Sequence, residues 1–223
     1  MRPSIYKASS RIDNIGAKVA LPEEWTSAKT YNDKVPPVFI VQSQLPEVSM
    51  IGLPSFMTEI TDGQGWSITI YFKIKDSTVQ MMRDLPSAPG GVRLFHDFCC
   101  KAPEQESNPK SPYRGRFKVC PRIDNIEELS LPYVISAYNS KPALIVKTGS
   151  IYRGDGYIEM DINVHMFGTA ARTALQVLRF DNATANFGFC IESQMDGEMP
   201  EVLFGAVCLN RLMLSLADEW VHG

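Results

Sequence analysis

The sequence predicts an α+β fold in which a largely antiparallel, curved sheet packs on a few helices. Residues 66–75 and residues 157–166 alternate between apolar and polar side chains, as strands with one buried face do. Each stretch is followed by residues whose apolar side chains recur at helical spacing. Glycine and proline break the chain between these segments. Strands and helices in this order favour a sheet that wraps on helices.

The most regular unit runs from Ile151 to Leu178. The turn Gly154-Asp155-Gly156 predicts a hairpin, and the strand after it is expected to bury one face and expose the other. Gly168 ends that strand. A helix should follow, with an apolar stripe formed by Ala171, Ala174, Leu175 and Leu178. Hairpin, strand and helix are therefore expected to form one structural unit.

The remaining elements are shorter. Strands are expected at 38–41, 116–122, 131–138, 143–148, 187–193 and 203–213, and helices at 78–85, around 92–99 and at 214–220. The apolar run at 203–209 is typical of a strand at the centre of a sheet. Residues 1–36 are expected to be a partly irregular amino-terminal segment, and residues 37–223 a single domain.

Composition argues against several classes of protein. The 223 residues include 22 Lys and Arg against 25 Asp and Glu, so a general nucleic-acid binder is not expected. The five cysteines show no CxxC spacing, which indicates reduced cytosolic thiols and neither a zinc site nor a disulfide framework. No apolar run approaches the ~20 residues of a membrane span, and no signal peptide is evident. We expect a cytoplasmic protein, peripheral on internal membranes if it contacts them.

Two groups of residues were weighed as catalytic or metal sites. Glu159, Asp161 and His165 share the polar face of the strand predicted at 157–166 and could bind a metal or transfer protons. The alternative is a solvated face, since side chains two residues apart in a strand are separated by roughly 6.6 Å. His96 and Cys100 could pair as base and nucleophile, but no third orienting group is evident. We therefore assign no catalytic residue, metal or cofactor.

A basic cluster is the candidate for binding anionic headgroups. Several of its members would share one surface if a strand begins at Arg116. Such a surface attracts anionic lipid, whereas an ordinary solvated face would be paired with acidic side chains. The cluster consists of Arg114, Arg116, Lys118, Arg122 and Arg153.

A cavity is the second candidate feature, because apolar faces of the predicted strands and helix could line a space instead of filling it. The alternative is a fully packed core. The expected lining consists of Ile68, Ile70, Phe72, Ala171, Ala174, Leu175, Leu178, Phe187 and Phe189.

Several stretches resemble the C-terminal domain of the plant enhanced disease resistance 2 family. They are RFKVCPR, YRGDGYIEMDINV and EMPEVLFGAVCLNRLMLS, with KTYNDKVPP as a weaker match, and they follow the family's order from about Lys29 to Ser215. In plants this domain often follows a phosphoinositide-binding domain and a START lipid-binding domain, so the resemblance implies work at membranes. A START-like helix-grip arrangement is one architecture that fits, by analogy.

These observations lead to one functional hypothesis and two alternatives. The leading hypothesis is a non-enzymatic lipid-binding or peripheral membrane module whose partner is a lipid or an anionic membrane surface. The first alternative is a protein-interaction or structural subunit of a larger assembly. The second alternative is an enzyme that uses the face of Glu159, Asp161 and His165.

Overall fold

The strands of the protein form two sheets. A computed structural model describes residues 3–26, 32, 34–47, 62–105, 113–131, 133–168, 171, 178 and 180–221. The helices are α1 (Glu23–Thr26), α2 (Asp76–Met82), α3 (Gly90–Lys101) and α4 (Tyr133–Ser136). The strands are β1 (Ser4–Ala8), β2 (Val38–Pro46), β3 (Gly65–Lys73), β4 (Phe117–Ile123), β5 (Ala143–Leu144), β6 (Gly149–Gly154), β7 (Tyr157–Asn163), β8 (Thr184–Ile191), β9 (Leu203–Asn210) and β10 (Asp218–Glu219).

The larger sheet has six strands in the order β10-β1-β3-β2-β7-β6, and the smaller has four in the order β5-β4-β8-β9. Pairing is antiparallel except for β2 with β7 and β1 with β10. The smaller sheet is antiparallel throughout. The α+β prediction is therefore confirmed, with the strands divided between two sheets.

The main core lies between the two sheets and α3. Phe39 on β2 is its centre, with ring centroids 4.9–6.4 Å from those of Phe95, Phe98, Phe117 and Phe204. Alternate side chains of β2, β3 and β7 point into this space because a strand turns successive residues to opposite faces. The spacing of Val92, Phe95, Phe98 and Cys99 predicts one apolar face of α3, and the helix buries the last three and half-buries Val92.

A second apolar cluster covers the other face of the larger sheet. Its buried members are Ala8, Ile12, Ile15, Val38, Ile40 and Tyr157. Residues 1–36, set apart in the sequence as an amino-terminal segment, thus contribute β1 to the sheet and Ile12 and Ile15 to this cluster. β7 is consequently buried at every residue.

Three sequence expectations require correction. Residues 133–136 are helical, where a strand was expected. Residues 214–220 form a 3-10 turn and β10, where a helix was expected. β9 lies at the edge of the smaller sheet, where a central strand was expected. The apolar run of β9 therefore does not reflect burial on both faces. A Cβ at Gly205 would lie 2.9 Å from the Phe72 ring on the inner face, whereas Leu203 is 58% exposed.

Most of the predicted helix after Gly168 lies outside the described residues. Of its apolar stripe, Ala174 and Leu175 are not described, Ala171 is exposed and Leu178 is buried. The stretch from Lys101 to Tyr113, which its three prolines predict as a surface loop, is likewise only partly within the described residues.

The hairpin predicted at Gly154-Asp155-Gly156 is confirmed, since Gly154 pairs with Tyr157 across β6 and β7. Gly156 has φ of 76°, a conformation that L side chains rarely adopt, and an added Cβ would lie 2.9 Å from Thr26 Cβ. We expect Gly156→Ala to lower the free energy of unfolding by about 1–2 kcal/mol. Gly168→Ala is the control in urea denaturation, because nothing lies within 4 Å of its added Cβ. Equal effects of the two substitutions would contradict the strained turn.

Candidate functional site

An apolar cavity of about 190 Å³ lies between the two sheets. Four residues that the sequence predicts as cavity lining do line it: Ile68 and Ile70 on β3, and Phe187 and Phe189 on β8. The other lining residues are Ser43, Leu45, Val119, Pro121, Ala143, Ile145, Ile162, Val164, Phe167, Phe180 and Leu209. Within the described lining, Ser43 alone carries a polar side-chain group.

The local sequence explains why these residues meet. Residues at i and i+2 share a strand face, so Ile68 and Ile70 point from the larger sheet towards the smaller one, as Ile162 does from β7. Phe187 and Phe189 point back from β8. An apolar cavity of about 150 Å³ is known to hold benzene. The cavity therefore has room for a small apolar group or the end of an alkyl chain.

A larger groove of about 550 Å³ adjoins the same inter-sheet space. Phe72, the fifth predicted lining residue on a strand, lines this groove instead of the cavity. Its ring stands edge to face with that of Phe189, with centroids 5.7 Å apart. The described lining is Phe39, Phe72, Lys73, Ile74, Lys75, Thr78, Gly91, Val92, Phe95, Val202, Leu203, Phe204, Gly205 and Ala206.

Not every predicted lining residue is brought to these spaces. Neither Ala171 nor Leu178 is among the residues that line the cavity or the groove. Ala174 and Leu175 fall outside the described residues. Sequence reasoning missed the residues of α3 and β9 that form the groove, because their apolar spacing is equally typical of a packed core.

Arg116 was expected on the surface and is buried, with 3% of its area exposed. Its guanidinium binds the Glu198 carboxylate, donates from Nε to the carbonyl of Glu192 at 2.8 Å and lies 5.0 Å from the centroid of the Tyr113 ring. The reason is the 3-10 turn at Arg114–Arg116, which places Arg116 before the alternating pattern of β4 begins. Arg116 is therefore a structural residue of the interior.

Each of the other members of the basic cluster is bound to a partner within the fold. Lys118 donates to both oxygens of Glu201 at 2.9 and 3.0 Å, and Arg122 pairs with Asp124 at 2.9 Å. Arg114 donates to the carbonyl of Gly149 at 2.9 Å. Arg153 donates to the carbonyls of Lys34 and Cys99. These side chains connect elements of the fold, so headgroup binding by this cluster as a whole lacks structural support.

The polar face of β7 was expected to be solvated and is instead buried. Glu159 is 0% exposed and Asp161 is 3% exposed, because the amino-terminal residues cover them. Both Glu159 oxygens accept backbone N–H groups, from Ile15 at 2.8 Å and from Gly16 at 2.7 Å. Asp161 Oδ2 accepts the N–H of Asn14 at 3.1 Å. The carboxylates thus hold the first turn of the amino-terminal 3-10 helix.

Burial of the Asp161 carboxyl group disfavours its charged form. Burial, followed by the hydrogen bond and the charge of Glu159, raises the pKa of Asp161 far above its ordinary value. Its Oδ1 has no hydrogen-bond donor within the described part of the chain, so this oxygen is free to carry the proton. The raised pKa favours the neutral form of Asp161 at neutral pH.

His165 does not join these carboxylates in a common site. It is buried, and its backbone N–H donates to Asn163 Oδ1 at 3.0 Å in the turn that ends β7. The described residues contain no cluster of three His, Cys, Asp or Glu side chains that could hold a metal ion. The face therefore anchors a segment of the chain instead of presenting groups to a substrate.

His96 and Cys100 are close, with Nε2 and Sγ 3.6 Å apart on α3. Burial nevertheless raises the pKa of the Cys100 thiol, which disfavours the thiolate that a nucleophile requires. The His96 ring also lies 3.3 Å from Asp97, whose carboxylate accepts from Lys101. These contacts suit a surface network along the helix.

The fold and the two spaces define a class: an α+β protein with apolar space between two open sheets. The sequence model of the family described as Protein ENHANCED DISEASE RESISTANCE 2, C-terminal, matches residues 2–213. The chain therefore belongs to this family, whose biochemical activity is unknown. No curated protein and no solved structure matches the chain. In the part of the chain that the structure describes, no helix is both long and apolar enough to cross a membrane.

Proposed function

We propose that this domain is a non-enzymatic lipid-binding module that takes the apolar part of its ligand between the two sheets. The observation that carries the proposal is the cavity of about 190 Å³ with an almost entirely apolar described lining. Native interiors rarely leave spaces larger than a water molecule. Filling this space with an alkyl group would bury apolar surface at about 25 cal/mol per Å².

Exposed apolar side chains support an association with membranes. Met195, Met199, Val202 and Leu203 are between 47% and 62% exposed and lie along one short stretch of chain. Val202 and Leu203 also line the groove. Exposed apolar patches commonly mark a membrane or protein contact. We infer that this stretch contacts the bilayer while a ligand passes into the inter-sheet space.

A protein-interaction module is the second candidate, favoured by the position of β9. β9 is the edge strand of the smaller sheet and pairs with β8 alone among the described strands. Edge strands can add a strand from another chain. A partner bound there would leave the cavity unchanged, so ligand retention distinguishes the two functions.

The enzyme alternative has less support. Glu159 and Asp161 are buried, and three of their four oxygens accept backbone N–H groups. A carboxylate with this environment is fixed for structure and is not exposed to a substrate.

Lipid retention tests the proposed function. We expect the protein, incubated with vesicles of mixed natural lipids and re-isolated by gel filtration, to retain stoichiometric lipid detectable by solvent extraction and mass spectrometry. Ala143→Phe should reduce retention about tenfold, since a phenyl ring at this exposed lining position fills the cavity. The matched control is Ala20→Phe, at an exposed position that does not line the cavity. Wild-type protein that retains no lipid would overturn the proposal.

A further inference from the structure

The mouth of the groove is basic. Lys73 and Lys75 are exposed and are the only charged residues in the described lining of the groove. Neither forms an ion pair with a described residue. No carboxylate belongs to the described lining, although the chain as a whole has 25 acidic against 22 basic residues. The groove is therefore electrostatically suited to an anion at its mouth.

The interior of the groove is apolar and of ligand size. Its walls include Phe39 and Phe95, which are 1% and 7% exposed, and the ring of Phe204. A volume of about 550 Å³ lies within the range of roughly 300–1,000 Å³ found for ligand pockets. An apolar interior with basic side chains at its mouth matches a molecule with one apolar chain and one anionic end.

The groove and the cavity meet at one pair of aromatic rings. Phe72 lines the groove and Phe189 lines the cavity, and their rings are in edge-to-face contact. Gly205 leaves room beside Phe72, because a Cβ there would lie 2.9 Å from the Phe72 ring. Phe72 is only partly buried. The ring pair thus forms a partition between two apolar spaces along the same face of β3.

We propose that the groove binds a single-chain amphiphile with an anionic headgroup. The headgroup pairs with Lys73 and Lys75, and the alkyl chain runs along the groove to the partition formed by Phe72 and Phe189. Displacement of the Phe72 ring admits the end of a longer chain into the cavity. This proposal rests on the lipid-binding function proposed above and identifies the class of ligand.

The headgroup is tested by calorimetric titration with three probes of one chain length: dodecanoate, dodecyl phosphate and dodecanol. We expect both anions to bind, and Lys73→Gln combined with Lys75→Gln to weaken at least one of them about tenfold while leaving dodecanol unchanged. The anion that loses more affinity identifies the headgroup as a carboxylate or a phosphate. The control is Lys18→Gln combined with Lys147→Gln, two exposed lysines outside the groove lining.

The partition is tested with alkyl carboxylates of increasing length. Affinity should rise about fourfold per methylene, as about 0.8 kcal/mol per buried CH₂ implies, until the chain reaches Phe72. In Phe72→Leu the rise should continue to longer chains, and in Phe72→Leu combined with Ala143→Phe it should stop again. Circular dichroism establishes that each variant is folded. If Phe72→Leu is unfolded, Phe72→Met replaces it.

The outcomes separate this proposal from the lipid-binding function. Retained natural lipid together with equal anion affinity in the wild type and the Lys73, Lys75 variant would overturn the anionic-amphiphile proposal and leave lipid binding intact. Failure of the wild type both to retain lipid and to bind any of the three probes would overturn both. A chain-length limit that is the same in the wild type and the folded Phe72 variant would overturn the role of the partition.

Discussion

Replacing Arg116 with alanine is expected to lower the free energy of unfolding by about 3–5 kcal/mol, because it removes one partner from a buried ion pair. Arg116 is 3% exposed, and its loss would leave the largely buried Glu198 carboxylate with the backbone N–H groups of Gln194 and Met195 but without its cationic partner. The Glu192 carbonyl would also lose the N–H group that it accepts from Arg116. An unpaired buried acceptor adds its own desolvation cost.

Urea denaturation with a second arginine variant provides the comparison. Arg122 lies on β4, the strand that begins directly after Arg116, and pairs with Asp124, but its side chain is 68% exposed. Exposed ion pairs contribute about 0–1 kcal/mol, so Arg122→Ala should have little effect. A loss for Arg116→Ala no greater than that for Arg122→Ala would contradict a structural role for Arg116.

Asp161→Asn is expected to raise the free energy of unfolding at neutral pH by about 2–4 kcal/mol and to flatten its pH dependence. In the folded protein the pKa of Asp161 is raised by burial and by Glu159, whereas in the unfolded chain it is about 3.9. Between these two pKa values, the Asp161 carboxyl group therefore ionises only in the unfolded chain. The contribution of Asp161 to the stability of the wild type is therefore fully present below about pH 4, and it is lost progressively as the pH rises through the neutral range.

Asparagine can replace the neutral carboxyl group because its side chain carries no charge and its oxygen can accept from the N–H of Asn14. The two stability curves should meet near pH 4 and separate as the pH rises. Other charged or ionisable groups facing the pair include Arg11, Asp13, Tyr71, Tyr152 and Tyr157, and they are common to both proteins. The control is Asp155→Asn, at the exposed hairpin turn. Parallel curves for wild type and Asp161→Asn would contradict the raised pKa of Asp161 in the folded protein.

The strands of the unit from Ile151 to Leu178 could be predicted from sequence because alternation depends only on neighbouring residues. The environment of the polar face of β7 could not be predicted in this way. Glu159 binds the N–H groups of Ile15 and Gly16, which are separated from it by 144 and 143 positions. A polar face that contacts water and one that is covered by backbone amides have the same alternating pattern.

The residues of the candidate site could likewise be predicted only in part. Alternation predicted Ile68, Ile70, Phe187 and Phe189 as residues of one interior, and all four line the cavity. Whether that interior is filled depends on distant side chains, which alternation does not report. Arg116 was placed on the wrong side because its partner, Glu198, is 82 positions away. The lysines at the groove were missed since Lys73 and Lys75 have the spacing of an ordinary solvated strand face.

The location of a bound ligand tests the lipid-binding account most directly. The measurement is a titration of isoleucine-methyl-labelled protein with an alkyl carboxylate long enough to pass Phe72, followed by NMR chemical shifts. The account predicts shifts for Ile68, Ile70, Ile145 and Ile162, which line the cavity, and for Ile74, which lines the groove. Ile12, Ile15 and Ile40 belong to the cluster on the opposite face of the larger sheet and should not shift. Unchanged cavity and groove methyls at saturating probe would contradict the account.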